Sequence, residues 1–246
     1  MSARLLPEDS PPSPGKDGKA GPQMAVRTSE RFTVAVMGRS GVGKSAITLR
    51  YTNSRFVREH DPTIEDTHLK HTTISGIPVC LNILDTAGQE TYRPLRRSWM
   101  KQDEQPRAPP KGFLFVFSLI DRQTFDELKA FYDELMDLYH NNPPPSVLVA
   151  NKADHETREW AVGEDEVRKL RASWSNCRDV VYTSAKSDQH VQHAFESLCI
   201  AIREFAAEQR SRPSPRQARP ILPDPVDMSD SRCTRKCCRH GSCTVS

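Results

Sequence analysis

The sequence predicts a doubly wound α/β domain with a mostly parallel six-stranded sheet and helices on both faces. Three observations predict it. Short apolar or β-branched runs alternate with segments of helical periodicity. Phe113–Phe117 and Val147–Ala150 are continuously apolar, as central strands covered on both faces must be. A glycine-rich loop joins the first run to the first helical segment, a design that places ligands at the carboxyl ends of parallel strands.

Taken in order, Phe32 to Met37 reads as a buried strand and Lys44 to Tyr51 as a helix. Thr67 to Ile74 and Val79 to Leu84 read as two strands, with Ser75-Gly76 as the hairpin turn between them. Between the two central strands, Gln123 to Tyr139 reads as one helix. It spaces Phe125, Leu128, Phe131, Tyr132, Leu135 and Leu138 onto one face. Glu164 to Trp174 and Val191 to Glu208 complete the helices, with the short strand Val180 to Thr183 between them. The chain contains no internal repeat.

The 246 residues divide into a Pro/Ser-rich extension over 1–30, one folded domain over 31–208 and a tail over 209–246. The two ends carry few large apolar residues, too few to offset the entropy of ordering. A formal charge of +3 is too small to imply nucleic-acid binding. The tail is more informative: eight Arg or Lys stand there against three Asp, which suits an anionic membrane leaflet or nucleic acid, or simply a solvated end. No run has the length of a membrane-spanning helix and no signal-peptide core is present. The seven cysteines are therefore expected to stay reduced in the cytosol.

Gly38-Arg-Ser-Gly-Val-Gly43-Lys44-Ser45 fits G-x-x-x-x-G-K-[ST] between a strand and a helix. Its glycines let successive N–H groups turn inward onto phosphate oxygens, and the helix N-terminus adds positive potential. Gly38, Arg39, Ser40, Gly41, Val42, Gly43, Lys44, Ser45 and Ala46 thus form the expected phosphate-binding segment. Lys44 is placed to reach the β- and γ-phosphates and the Ser45 hydroxyl to ligate Mg²⁺. The loop alone specifies neither the base nor the reaction.

At Asn151-Lys152-Ala153-Asp154, which ends the second central run, the chain resembles the small GTPases of the Ras family. An aspartate there accepts from the N1 and N2 donors of guanine, a pair that adenine lacks. Ser184-Ala185-Lys186 resembles the second base contact of that family, made through the Ala185 N–H. Asp61-Pro-Thr-Ile-Glu-Asp66 resembles the effector loop, with Thr63 as a Mg²⁺ ligand in the GTP state. Asp85-Thr-Ala-Gly-Gln89 resembles the second switch. There the resemblance implies Asp85 near the metal, Gly88 on the γ-phosphate and Gln89 orienting water, with Lys44 and Thr63 as the other catalytic groups. Phe56 matches an aromatic packed edge-on against guanine, and reads otherwise as a core residue.

The resemblance covers roughly Arg31 to Glu208 and implies a P-loop small G-protein fold. It also implies a signalling switch using GTP, GDP and Mg²⁺. The implied partners are effectors at Asp61 to Asp66, exchange factors and GTPase-activating proteins, with the chain itself a monomer. A P-loop kinase would need an acceptor site and a lid, and the sequence offers neither.

Three departures accompany it. Ser40 stands where Ras has a glycine, and a side chain there is expected to crowd Gln89 and slow hydrolysis, leaving a GTP-loaded binding module as the alternative. His60 replaces a tyrosine, and Lys101 to Pro110 adds about seven residues, read as a surface loop. Four cysteines fall in the last fourteen residues. Cys243-Thr-Val-Ser246 fits a C-a-a-X prenylation signal, with Cys233, Cys237 and Cys238 as palmitoylation candidates; together they would anchor the chain at the cytoplasmic face of a membrane. A zinc site on Cys233, Cys237, His240 and Cys243, or an unmodified tail, are the competing readings.

Overall fold

The computed structural model describes residues 29–56, 63–101 and 109–211. The N-terminal extension, residues 57–62, residues 102–108 and the tail from 212 onward lie outside the described residues. With them go His60, Asp61, Pro62, most of the Lys101–Pro110 loop and the cysteines from Cys233 onward.

Six strands form one sheet in the order β2-β3-β1-β4-β5-β6. They are β1 (Glu30–Met37), β2 (Glu65–Ile74), β3 (Ile77–Thr86), β4 (Gly112–Ser118), β5 (Ser146–Asn151) and β6 (Cys177–Tyr182). Only β2 runs antiparallel, because it is joined to β3 by a two-residue turn. Ser75 and Gly76 both take positive φ there, 52° and 73°, the backbone a type I′ hairpin requires. The other pairings are parallel and need crossovers.

Those crossovers carry α1 (Lys44–Asn53), α2 (Arg93–Lys101), α3 (Arg122–Asp126), α4 (Leu128–Leu138) and α5 (Glu164–Ser173), and α6 (Val191–Ser211) follows β6. Strand alternation divides the core in two. Val34, Val36, Leu114, Val116, Val147 and Val149 face α1 and α6, against Ile47, Tyr51, Phe195 and Leu198. Ala35, Met37, Phe113, Phe115, Phe117 and Leu148 face the opposite layer, against Trp99, Phe131, Leu135 and Val167. The three central strands are buried on both faces, which is why their sequences are continuously apolar.

Two elements differ from expectation. The single helix over Gln123 to Tyr139 is two helices that meet at Glu127. Glu127 keeps helical angles, but its N–H is shared between the carbonyls of Gln123 and Phe125, which interrupts the regular ladder. The helix α2 was not expected from the sequence. Its apolar face is only Trp99 and Met100, and ion pairs from Arg96 to Glu134 and Arg97 to Asp137 tie it to α4. Met1–Ala206 is one compact unit; of the second, Ala207–Ser246, the described part is the end of α6. Among the described residues no helix is long and apolar enough to cross a membrane.

Candidate functional site

The loop between β1 and α1 lies at the carboxyl edge of the sheet, where the chain leaves β1. Gly38 has φ 139° and packs so close to Val116 that a Cβ there would overlap its carbonyl oxygen. Gly43 (φ 98°) caps α1 and leaves no room for a Cβ beside the Asn151 amide. Both positions therefore demand glycine, for backbone angle and for close approach alike.

A cleft of about 460 Å³ opens beside this loop. At one end it is lined by Ser40, Gly41, Gly43, Lys44, Ser45 and Ala46. Thr63, Gly88 and Gln89 form one wall, and Phe56, Asn151, Lys152, Asp154, Ala185 and Lys186 form the other end. Residues from six separate stretches of the sequence are thereby brought together. Gly38, Arg39, Val42, Asp85 and Ser184 do not line it. The Arg39 side chain instead turns away to Glu127, 2.9 Å between Nη1 and Oε1.

Lys44 is 6% exposed, and its ammonium donates to the Arg39 carbonyl at 2.9 Å. Burial pulls its pKa down to about 8, against the opposing pull of Asp85. Asp85 lies almost fully buried near Lys44 and Ser45; burial pushes its carboxyl up, partly countered by the hydrogen bond from Ser45 and by the Lys44 charge. Its Oδ1 is buried with no hydrogen-bond partner. Ser45 Oγ is 3.1 Å from Thr63 Oγ1. Two hydroxyls and an orphaned carboxylate oxygen are hard donors, so this group fits Mg²⁺ by chemistry and by proximity.

At the other end Ser184 Oγ donates to Asp154 Oδ1 at 2.7 Å and Lys186 Nζ lies 3.4 Å from Oδ2. Burial pushes the Asp154 carboxyl up, but the bond from Ser184, a backbone hydrogen bond and Lys186 outweigh it and hold it below the usual carboxylate range. Ser184 thus acts by orienting Asp154 rather than by lining the cleft. Phe56 lines the cleft and also packs against the α1/α6 core, so its two readings are not exclusive.

Asn151 joins the two ends. Its Nδ2 donates to the Val42 carbonyl at 2.7 Å, while its Oδ1 accepts from Thr183 Oγ1 at 3.2 Å and from the Ala185 N–H at 3.4 Å. Sequence reading missed Thr183 in this network and also His155, which lines the cleft beside Asp154 with Nδ1 2.9 Å from Glu159. It missed Trp99 as well, whose indole N–H donates at 3.0 Å to Glu65 of the effector loop. Nothing in the local sequence of these residues signals those contacts.

The family model for the Ras family matches residues 33–204. Ras-related protein R-Ras of Mus musculus is 39% identical over 191 residues, covering 77% of this chain and 82% of the relative. R-Ras of Homo sapiens is 40% identical over 192 residues, with the same coverage of each chain. The fold, the ordered motifs and these likenesses agree: the chain belongs to the Ras family and is a Ras-like small GTPase.

Proposed function

We propose that this chain is a guanine-nucleotide switch that binds GTP and GDP with Mg²⁺, hydrolyses GTP slowly and works at the cytoplasmic face of a membrane. The observation that carries the nucleotide reading is a single cleft with Lys44 at one end and Asp154 at the other. That spacing suits a molecule with polyphosphate and base. Asp154 accepts the N1 and N2 donors of guanine, and its depressed pKa keeps it ionised for the task. The loop N–H groups and Lys44 hold the phosphates. Ser45 and Thr63, with Asp85 beside them, hold Mg²⁺, which when bound neutralises charge developing on the β- and γ-oxygens.

Gln89 lines the cleft next to Gly88 and orients the attacking water. Thr63 and Gly88 follow the γ-phosphate, so the effector segment that includes Ile64, Glu65 and Asp66 changes with nucleotide state. Effector proteins read that segment, while exchange factors and GTPase-activating proteins set the cycle. Membrane attachment rests on the sequence: prenylation of Cys243, palmitoylation among Cys233, Cys237 and Cys238, and basic residues against the anionic inner leaflet of the plasma membrane.

The second reading is a GTP-loaded, hydrolysis-poor binding module. Ser40 favours it, because it lines the same cleft as Gln89 and carries a side chain where Ras has none. Full-length protein, purified and stripped with EDTA, tests both. Micromolar or tighter binding of GDP with Mg²⁺, and none of ADP, supports the switch. Equal affinity for adenine and guanine nucleotides would overturn it. Single-turnover hydrolysis then separates the two readings, since a binding module leaves GTP intact with and without an activating protein.

A further inference from the structure

We propose that Arg50 is the positioning residue of the base site, and that it couples guanine recognition to the helix that starts at the phosphates. Arg50 belongs to none of the motifs above. It lies on α1, the helix that opens with Lys44 and Ser45. From there its guanidinium reaches the loop after β6: Nε donates to the Ala185 carbonyl at 2.8 Å and Nη2 to the Lys186 carbonyl at 3.1 Å. Nη1 donates to the Ser54 carbonyl at 3.3 Å, and the guanidinium carbon stands 5.8 Å from the centre of the Phe56 ring. One side chain therefore holds both walls of the base end of the cleft.

The chemistry follows from peptide geometry. A fork gripping two successive carbonyls fixes the Ala185–Lys186 and Lys186–Ser187 peptide planes, a task to which the planar, five-donor arginine is suited. With the peptide plane that follows it held by Arg50, Ala185 has less freedom to turn its own N–H away from Asn151, beside the cleft. Guanine presents one acceptor next to its N1 donor, the O6 oxygen. Once Asp154 has taken N1 and N2, an N–H beside it is the group that O6 requires. On the opposite wall, Ser54 closes α1 with a left-handed φ of 55°, and the chain turns there toward Phe56. Arg50 spans that turn.

This inference rests on the guanine-nucleotide reading and is tested separately from it. Release of fluorescent GDP from the full-length protein is compared with release of 6-thioguanosine 5′-diphosphate, which keeps the N1 and N2 donors and puts a weakly accepting sulfur in place of O6. Arg50→Ala is expected to release GDP about tenfold faster while changing the sulfur analogue much less. Arg50→Lys, which keeps the charge and stem and so guards against a folding defect, is expected to move both rates the same way but less far. GDP release within twofold of wild type in both variants, or equal acceleration of both nucleotides, would overturn the role of Arg50. Failure of the wild type to bind GDP would overturn the nucleotide reading itself, and the inference with it.

Discussion

The N–H of Ser40 donates to the carbonyl oxygen of Gly88 at 2.9 Å, linking the phosphate loop directly to the second switch. A Cβ on Gly88 would overlap Arg39, Ser40 and the Lys44 ammonium, so the two segments are in close contact. Ser40 lines the cleft together with Gln89. Ser40→Gly keeps the backbone bond and removes only the side chain. It is expected to raise single-turnover hydrolysis with an activating protein by about tenfold or more. Unchanged rates in that variant would show that the loop accommodates serine without cost.

Asp154 gives the sharpest specificity test. Ser184 donates to its Oδ1, so an asparagine in its place keeps its oxygen there and turns its amide nitrogen to the other side. A carboxylate offers two acceptors; an amide offers one acceptor and one donor. Xanthine presents N1–H and an O2 acceptor where guanine presents two donors. Asp154→Asn is therefore expected to weaken GDP binding by about a hundredfold or more and to favour XDP. Competition binding with the two nucleotides reads the ratio, and a retained preference for GDP would remove Asp154 from the base site.

Lys44 makes nucleotide affinity depend on pH above neutrality. Its folded pKa, about 8, is below the ordinary 10.5 because burial disfavours the charge. Folding alone therefore disfavours the protonated form. In the nucleotide-free protein this costs about 3 kcal/mol of stability below pH 8, a cost that fades as pH rises from 8 toward 10.5. Polyphosphate reverses the preference by favouring the ammonium. Affinity for GDP is expected to hold from pH 6.5 to 8 and then to fall by up to about tenfold per pH unit. Binding titrations across that range check it, with Lys44→Arg as the variant that abolishes the slope.

The lipid anchor is a separable claim. One prenyl chain binds membrane only weakly, so under this proposal stable attachment would need the cysteines upstream of Cys243 and the basic residues around them. Cys243→Ser is expected to move the protein from the membrane to the soluble fraction. Replacing Cys233, Cys237 and Cys238 by Ser is expected to leave a weak, salt-sensitive association. A zinc-holding tail predicts instead that a chelator changes the fractionation of wild type.

The phosphate loop and the base-reading loop could be read from sequence because each is contiguous and each follows a strongly apolar strand. What sequence does not carry is the partner of a lone polar residue. Arg39 finds Glu127 across 88 positions, and Arg50 finds Ala185 across 135. Ser184 shows the same limit within a motif: the sequence sets it beside the Ala185 N–H expected at the base, and does not reveal that its hydroxyl donates to Asp154. The missed α2 has a different cause. A helix with Trp99 and Met100 as its buried apolar residues has little periodicity of its own, and packing plus charge pairs with α4 make it.

Asn151 is the residue whose loss should be felt at both ends of the cleft. Its amide is 3% exposed and bridges the Val42 carbonyl, Thr183 and the Ala185 N–H. Asn151→Ala would leave the Val42 carbonyl buried without that donor and free the loop that carries Ala185. Removing a buried network of this kind costs about 3 kcal/mol. A melting temperature several degrees lower is expected, together with GDP release faster by more than tenfold. Asn151→Asp separates the two effects. It keeps the acceptor toward Thr183 and Ala185 and replaces the donor to Val42 by a carboxylate oxygen that repels the Val42 carbonyl. If the two ends act through Asn151, the aspartate variant keeps its base preference while its grip on the phosphates weakens. Equal loss at both ends would mean that the side chain serves the fold and does not couple them.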